Sequence, residues 1–270
     1  MAMAHLLLRG QPLGSAPGSV ATIDAVLFDK DGTLSHSEPM LQALASARIE
    51  RCLALAEEHD AGSSAADLGA LLARAYGISE QGIDPSGITA VAARDHNLIA
   101  TATALTQVGL GWPDALAIAE VCFARTDALH GQGAVHPPLP TPGLGALFAR
   151  LRAASVRCAV ISNDHEQGIH SFLRRHGLDH HVEAVWSAEH HPRKPDPGAV
   201  QGLCLELGVA PGRCALIGDA NSDLRMARAA GVPVVLGYSA GWRQAPGLDP
   251  GTLCVQHWDE LDVGVHLADG

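Results

Sequence analysis

The chain has 270 residues, enough for one large domain or two modest ones, and it can bury a core without disulfide bonds. Hydrophobic residues make up 47% of it, which excludes an intrinsically disordered chain, and a formal net charge of −11 argues against a general nucleic-acid-binding protein. The six cysteines include no C-x-x-C pair, so neither a zinc site nor a redox pair is indicated, and reduced thiols in a cytoplasmic protein are expected.

The first predicted elements are short, buried strands. The apolar run near the N-terminus is too short for a signal sequence or a membrane span, and Arg9 follows it directly, so no membrane association is expected. Further along, apolar runs of about five residues are followed by polar or glycine-containing turns, a pattern typical of buried parallel strands. The predicted strands are Ala25 to Phe28, Arg157 to Ile161, Val182 to Trp186, Cys214 to Ile217 and Val232 to Leu236.

Residues 37–137 have a different pattern. They are rich in alanine and leucine, lack convincing strand runs and carry several amphipathic helical repeats, one closed by Gly77 as a C-cap and another beginning at Pro113. The proline-rich segment 136–143 indicates a stiff return linker. We therefore predict an α/β fold, a doubly wound parallel sheet formed by residues 1–36 and 138–270, interrupted by a helical domain at 37–137.

Two carboxylates, Asp29 and Asp31, follow the first predicted strand of the sheet. Residues i and i+2 of extended chain point the same way, and ligands of open α/β sheets bind at the carboxyl ends of strands. Such a pair can divide the work of catalysis, one carboxylate attacking phosphorus and the other transferring protons. An acidic turn is the alternative.

Two later segments, the end of the second predicted strand and a proline-rich loop, carry candidate phosphate-binding residues. Ser162 and Asn163 open a predicted helix, where a hydroxyl and free amides suit a phosphate oxygen, although either residue could merely cap that helix. Lys194 lies in a proline-rich loop and could act as a point charge against phosphate. A surface lysine is the alternative, but the chain contains only two lysines, Lys30 and Lys194, which favours a functional interpretation.

The fourth strand end is followed by two more carboxylates, Asp219 and Asp223. Oxygen ligands of this kind suit Mg²⁺, which binds few carboxylates and retains water molecules. The alternative is an acidic turn in which Asp223 opens the next helix.

Taken together, these motifs resemble the haloacid dehalogenase superfamily and specifically its phosphatases. The family pattern is D-x-D-G-T, then a strand-end Ser or Thr, then Lys, then G-D-x-x-x-D, and it matches Asp29 to Thr33, Ser162, Lys194, and Gly218 to Asp223. The resemblance extends from about Ala25 to Leu261, and the helical insert is similar to the family's all-helical cap domain.

The resemblance implies a role for each motif residue. Asp29 would attack phosphorus and bind Mg²⁺, and Asp31 would protonate the leaving alcohol and later activate water, with its backbone carbonyl on the metal. Ser162, Asn163 and Lys194 would hold the phosphate oxygens. Asp219 would ligate Mg²⁺, and Asp223 would support it directly or through water.

Some residues depart from the family pattern or have two interpretations. His36 replaces an acid near the expected hinge, and Lys30 stands at a more usually hydrophobic position and receives no role. Residues 94–97 either contact the substrate's leaving group or, as we favour, form an exposed helix face. A histidine-rich stretch at 176–191 fits no standard metal-site spacing and indicates loop histidines.

We expect a Mg²⁺-dependent phosphatase, monomeric or homodimeric, that acts on a small phosphorylated metabolite such as phosphoglycolate or a sugar phosphate. A dehalogenase is disfavoured by Asp31, and a lysine-dependent phosphonatase is excluded because residues 37–137 contain no lysine. A phosphomutase of the same superfamily remains the main alternative, and a non-catalytic binding module is the alternative from a different class.

Overall fold

The computed structural model describes residues 2–16, 18–59, 65–130 and 136–267. Its strands are β1 (Ala2–Leu8), β2 (Gln11–Pro12), β3 (Ala25–Phe28), β4 (Ser35–His36), β5 (Ile78–Ser79), β6 (Gly82–Ile83), β7 (Leu139–Pro140), β8 (Arg157–Ile161), β9 (Val182–Trp186), β10 (Cys214–Gly218), β11 (Val234–Tyr238), β12 (Cys254–Val255) and β13 (Leu261–Leu267). Its α-helices are α1 (Glu38–Glu58), α2 (Ala65–Tyr76), α3 (Ile88–Val91), α4 (Arg94–Gln107), α5 (Trp112–His130), α6 (Leu144–Ala153), α7 (Glu166–Arg175), α8 (Pro197–Leu207) and α9 (Asn221–Ala229).

The chain forms two compact units. The core unit comprises residues 1–36, 139–241 and 245–270, and the helical unit comprises residues 37–138 and 242–244. In the part of the chain that the structure describes, no helix is long and apolar enough to cross a membrane.

A six-stranded parallel sheet organises the core unit, in the order β12-β11-β10-β3-β8-β9. The chain builds the sheet outward from β3 in both directions, so the strand order reverses between β3 and β10. Polar residues that follow these two strands therefore meet where open α/β sheets bind ligands. The predicted fold class, a doubly wound parallel sheet, is confirmed.

Both faces of this sheet are buried, which explains why its strands are continuously apolar. Along β3, Val26 and Phe28 point to the face covered by α6 and α7, while Ala25 and Leu27 point to the face covered by α8 and α9. Fully burying a leucine or phenylalanine side chain contributes roughly 1.5–3 kcal/mol, so these two layers supply the main hydrophobic stabilisation of the unit.

A smaller sheet, not predicted from the sequence, joins the two ends of the described chain. β1 pairs antiparallel with β13 along its whole length, from Ala2 opposite Leu267 to Leu8 opposite Leu261, and β2 adds a short third strand. Leu6 and Leu8 are buried in the same hydrophobic cluster as α6. The apolar run near the N-terminus is therefore a strand of the core unit.

The helical unit has a hydrophobic core of its own, formed by one face of each of α1, α2, α4 and α5. Gly77 follows α2 with a φ of 71°, as expected for a C-cap, and Pro113 is the second residue of α5. The predicted pattern of helices thus corresponds to observed elements, with the short helix α3 and the hairpin β5–β6 in addition.

Two sequence-based boundaries need correction. The last predicted strand, Val232 to Leu236, is two residues later, as β11, because Pro233 lacks the N–H group that a central strand must donate. The linker predicted at 136–143 contains β7, which pairs with β4 at the point where the chain first leaves the parallel sheet.

Candidate active site

The motif residues predicted from the sequence lie at the carboxyl ends of the parallel strands. Asp29 directly follows β3 and donates its backbone N–H to Ile217 O at 2.9 Å. Ser162 follows β8 and Asp219 follows β10, while Lys194 lies in the loop after β9. Because the strands are parallel and adjacent, these residues lie at one edge of the sheet.

Asp29 is buried, with 6% of its surface exposed, and it pairs with Lys194. Lys194 Nζ lies 2.5 Å from Asp29 Oδ1 and 3.0 Å from Asp223 Oδ2, and it also donates to Ile161 O at 3.3 Å. Burial lowers the pKa of Lys194, but the charges of Asp223 and Asp29 outweigh that effect and raise it above its ordinary value. Lys194 therefore remains a cation in this buried position.

Three carboxylates lie close together here, and two of them, Asp29 and Asp223, contact the ammonium group of Lys194. Asp29, Asp219 and Asp223 are buried, and an oxygen from each lies within 4.8 Å of the others. Burial raises the pKa of Asp29 well above its ordinary value; Lys194 opposes this, and Asp223 and Asp219 reinforce it. The cluster therefore has an excess of negative charge that a bound cation would offset, and its oxygen-only donors are those that Mg²⁺ prefers.

Asp31 contributes no carboxylate oxygen to this cluster. Its Oδ1 lies 2.7 Å from Lys30 Nζ, which also lies 3.0 Å from Asp164 Oδ2 in the loop after β8. Lys30 is buried, and burial lowers its pKa, but Asp31 and Asp164 outweigh that effect and raise the pKa above its ordinary value. The sequence assigned Lys30 no role, although the scarcity of lysine that singled out Lys194 applied equally to it.

Ser162 is buried at the start of the loop that precedes α7. Its backbone N–H donates to Trp186 O at 2.9 Å, and its hydroxyl accepts a hydrogen bond from the backbone N–H of Asp164 at 3.1 Å. Asn163 is half-buried beside it. Ser162 thus holds the backbone that precedes α7, in keeping with the helix-capping role that was the alternative for it. Because the hydroxyl oxygen accepts that bond, the hydroxyl proton can still be donated to a phosphate oxygen.

Two buried threonines support the carboxylate motif: Thr33, which belongs to the matched motif, and Thr141, which the sequence did not identify. Thr33 Oγ1 donates to Asp219 Oδ1 at 3.0 Å, and Thr141 Oγ1 donates to Thr33 O at 2.9 Å. Trp258 Nε1 donates to Thr141 Oγ1 at 2.7 Å. A continuous chain of hydrogen bonds therefore links the C-terminal part of the core unit to the carboxylate cluster.

Comparison with known proteins identifies the family. The family model of the haloacid dehalogenase-like hydrolases matches residues 23–231. The chain belongs to this family. It is 33% identical over 237 residues to a phosphoglycolate phosphatase of Rhodospirillum rubrum, covering 86% of each chain. The predicted superfamily is confirmed, as is the prediction that the chain is a phosphoric monoester hydrolase.

Solved structures show the same fold at lower identity. One is described as a predicted phosphoglycolate phosphatase from Haemophilus somnus, with a TM-score of 0.62, 20% identity, and coverage of 87% of this chain and 95% of that one. Another, from Thermotoga maritima and provisionally named beta-phosphoglucomutase, has a TM-score of 0.53 and 16% identity, covering 88% of this chain and 96% of that one. At these identities the likeness concerns the fold alone.

Two features outside the main motifs of this haloacid dehalogenase-like hydrolase have defined surroundings. His36, in β4, places Nδ1 3.2 Å from Gly241 O. In the helical unit, Arg94 Nε donates to Asp127 Oδ2 at 2.5 Å, and Asn97 is buried and donates to Ala93 O at 3.1 Å. The favoured interpretation of residues 94–97 as an exposed face is therefore wrong for Asn97, which holds the start of α4.

Proposed function

We propose that this protein hydrolyses a small phosphorylated metabolite through a phosphoenzyme intermediate on Asp29. The observation that carries the proposal is the pairing of Asp29 with Lys194 inside a cluster of three carboxylates, with Asp31 two residues away. A carboxylate can attack a phosphate dianion only where positive charge offsets their repulsion. Lys194 supplies one such charge, and the carboxylate cluster can hold a second.

Two chemical steps follow from this arrangement. In the first, an ionised Asp29 oxygen bonds to phosphorus, the bond from phosphorus to the ester oxygen breaks, and Asp31 gives its proton to the departing alcohol. In the second, Asp31 takes a proton from water, the water oxygen attacks phosphorus, and the bond to Asp29 breaks. Inorganic phosphate is released and both carboxylates return to their starting states.

Positive charge in the site favours the ionised form of Asp29, which is the reactive one. Burial alone would favour the protonated carboxyl, which is a poor nucleophile, whereas Lys194 at 2.5 Å favours the carboxylate. A cation held by Asp29, Asp219 and Asp223 would also favour the carboxylate form of Asp29. We propose Mg²⁺ as that cation, with the backbone carbonyl of Asp31 as a further ligand; when bound, it would offset negative charge on the phosphate and the carboxylates.

The transferred phosphate would be held by Ser162, Asn163 and Lys194. Support comes from the backbone geometry that places Ser162 at the end of β8, beside the strand that carries Asp29. The hydroxyl and amide donors suit phosphate oxygens, and Lys194 would exchange part of its contact with Asp223 for the substrate.

Phosphoglycolate is the substrate that we propose first, because the Rhodospirillum rubrum relative is a phosphoglycolate phosphatase and the match covers most of both chains. We propose residues 37–137 as the cap domain of the enzyme, a role that suits small metabolites better than protein substrates.

The test is a panel of phosphorylated metabolites, including 2-phosphoglycolate and sugar phosphates, assayed for phosphate release with Mg²⁺ and after exhaustive chelation. We expect release that requires Mg²⁺ and does not require Zn²⁺, because the described site offers carboxylates and no Cys or His ligand set. Full activity without metal would refute the metal assignment.

Phosphorus NMR separates hydrolysis from transfer within a sugar: conversion of a sugar phosphate to its isomer with little free phosphate would establish the mutase. No turnover of any compound would favour the binding module.

A further inference from the structure

Each carboxylate of the Asp29–Asp31 pair has its own buried lysine. Lys194 Nζ lies 2.5 Å from Asp29 Oδ1, and Lys30 Nζ lies 2.7 Å from Asp31 Oδ1. The sequence contains no other lysine. The chain has sixteen arginines and only two lysines, and both lysines contact the two carboxylates of one motif.

Lys30 cannot be a solvated surface residue that touches Asp31 by chance. Only 2% of its side chain is exposed, and its Nζ contacts the carboxylates of Asp31 and Asp164 and lies 5.9 Å from the centre of the Phe172 ring. A buried ammonium group that lost these partners would be strongly destabilising, so its position is fixed by them.

Asp164, the second partner, is itself held in place by backbone groups. Its Oδ1 accepts a hydrogen bond from the backbone N–H of His165 at 2.7 Å. Gly168, in the first turn of α7, leaves room for the Asp164 carboxylate, since a Cβ there would lie 2.6 Å from Asp164 Oδ2. The Asp164 carboxylate therefore has a defined position on the loop that also carries Ser162 and Asn163, and it fixes the position of Lys30 Nζ.

The consequence for Asp31 is a defined orientation. Asp29, Asp219 and Asp223 form the carboxylate cluster, and Asp31, two residues from Asp29, contributes no oxygen to it. Lys30 instead draws Asp31 Oδ1 towards Asp164. Asp31 remains partly exposed, with 18% of its side chain accessible, so a leaving group can approach its carboxyl group from solvent.

We propose, building on the phosphatase function above, that Lys30 is a positioning residue that holds the Asp31 carboxyl group for proton transfer to the leaving group. Lys30 itself does not touch the substrate. A merely structural role, in which Lys30 joins the loops after β3 and β8, would slow every substrate alike. A positioning role acts selectively, because only leaving groups that need a proton depend on Asp31.

The experiment compares kcat/KM of wild type, K30M and K30R on two substrates: 2-phosphoglycolate or the best alkyl phosphate of the panel, and 4-nitrophenyl phosphate, whose leaving group departs without a proton. The parameter kcat/KM reports steps up to phosphoenzyme formation, so slow hydrolysis of the intermediate does not obscure the comparison. For K30M we expect a loss on the order of 100-fold with the alkyl phosphate and of less than about 5-fold with the aryl phosphate. K30R should recover most of the alkyl activity, because it restores the charge.

A double-mutant cycle with D31N provides the matched control. If Lys30 acts through Asp31, D31N alone should show the same leaving-group dependence, and K30M should cost little more in the D31N background. Additive losses would mean that Lys30 acts elsewhere.

The remaining outcomes are decisive as well. Equal losses on both substrates, or no loss, would overturn the positioning role and leave the phosphatase intact; absence of wild-type turnover on both would remove the proposed function itself. Circular dichroism and thermal unfolding establish that each variant folds. If K30M does not, the double variant K30M/D164N removes one charge of each sign from the cluster, and the same substrate selectivity is expected of it.

Discussion

Asp29 is required to be a nucleophile in surroundings that favour its protonated form. It is buried beside two other carboxylates, and Lys194 is the ammonium group at hydrogen-bonding distance from it. Such a conflict is typical of functional sites, because burying three neighbouring carboxylates costs stability. Replacing Asp29 therefore tests the proposed chemistry most directly.

We predict that D29N abolishes turnover while the fold persists. The amide has the shape of the carboxylate but cannot attack phosphorus, so kcat should fall on the order of 10⁴-fold or more. Stability should be retained or increased, because one of three mutually repelling carboxylates is removed. Phosphate release and circular dichroism measure both effects.

The control for this substitution is D114N, which makes the same chemical change at an exposed position in the first turn of α5. It should leave kcat unchanged. A D29N protein with native circular dichroism and near wild-type activity would exclude Asp29 as the nucleophile.

The sequence was sufficient to find the carboxylates but not all of their partners. Asp29, Asp31 and Asp219 follow apolar runs, and parallel strands end at one edge of a sheet, so their proximity could be predicted. Lys30 could not be assigned, because the direction of a lysine side chain depends on Asp164, more than a hundred positions away. Thr141 was missed for the same reason: a threonine in a proline-rich linker carries no local signal for a bond to Thr33.

At the scale of elements, the loop after β9 joins the first turn of α7 through one carboxylate. Glu189 Oε2 accepts hydrogen bonds from Ser187 Oγ at 2.7 Å and from the backbone N–H of Glu166 at 3.1 Å, and Oε1 lies 2.7 Å from His165 Nδ1. Glu166 begins α7, so Glu189 satisfies one of the N–H groups that a helix leaves free at its start.

This arrangement makes the stability of the core unit dependent on pH. Burial tends to raise the pKa of Glu189, but the hydrogen bonds from Ser187, His165 and the backbone lower it to about 2, from an ordinary value of 4.5. A lowered carboxyl pKa means that the unfolded chain binds the proton more tightly. The stabilisation is therefore complete above about pH 4.5 and is lost as the pH falls towards 2.

We predict that E189Q lowers the free energy of unfolding by no more than about 1 kcal/mol at pH 7, because the side chain is 48% exposed and solvent screens the interaction. The difference from wild type should shrink as the pH falls below 4.5. Urea unfolding at pH 7 and pH 3 measures it, with E206Q, an exposed glutamate on α8, as the control. A difference that is the same at both pH values would contradict the assignment.

Elements that form locally were predicted well, and elements that depend on distant partners were not. The bounds of β3, β8 and β9 followed from apolar runs closed by polar residues, and the helices of 37–137 followed from their spacing. β11 was misplaced because its apolar run crosses Pro233. β1 was not recognised as a strand, since its partner β13 is far away in the sequence and its own residues suggest only an apolar segment.

At the scale of the whole molecule, the proposed binding of a metal would be linked to folding. The cluster of Asp29, Asp219 and Asp223 exists only in the folded chain, so a cation that binds it stabilises that state by mass action. The effect is roughly 2.7 kcal/mol at a concentration one hundred times Kd.

We predict that Mg²⁺ raises the midpoint of thermal unfolding of the wild type by several degrees and leaves D219N almost unaffected. Without metal, D219N should unfold at or above the wild-type temperature, because it has lost a repelling charge and Asn can still accept the hydrogen bond from Thr33. The order of the two midpoints should therefore reverse when Mg²⁺ is added. Scanning calorimetry at constant ionic strength measures this, and equal responses of the two proteins would remove Asp219 from the metal site.

The pairing of β1 with β13 bears on how the polypeptide is made. β1 is synthesised before every other described element, and its partner follows about 250 residues later. While the parallel sheet forms, one edge of β1 lacks its partner strand, and Phe28 lacks Trp258, whose ring packs against it. Synthesis must therefore pass Leu261 before β1 is paired along its whole length and the core unit can close.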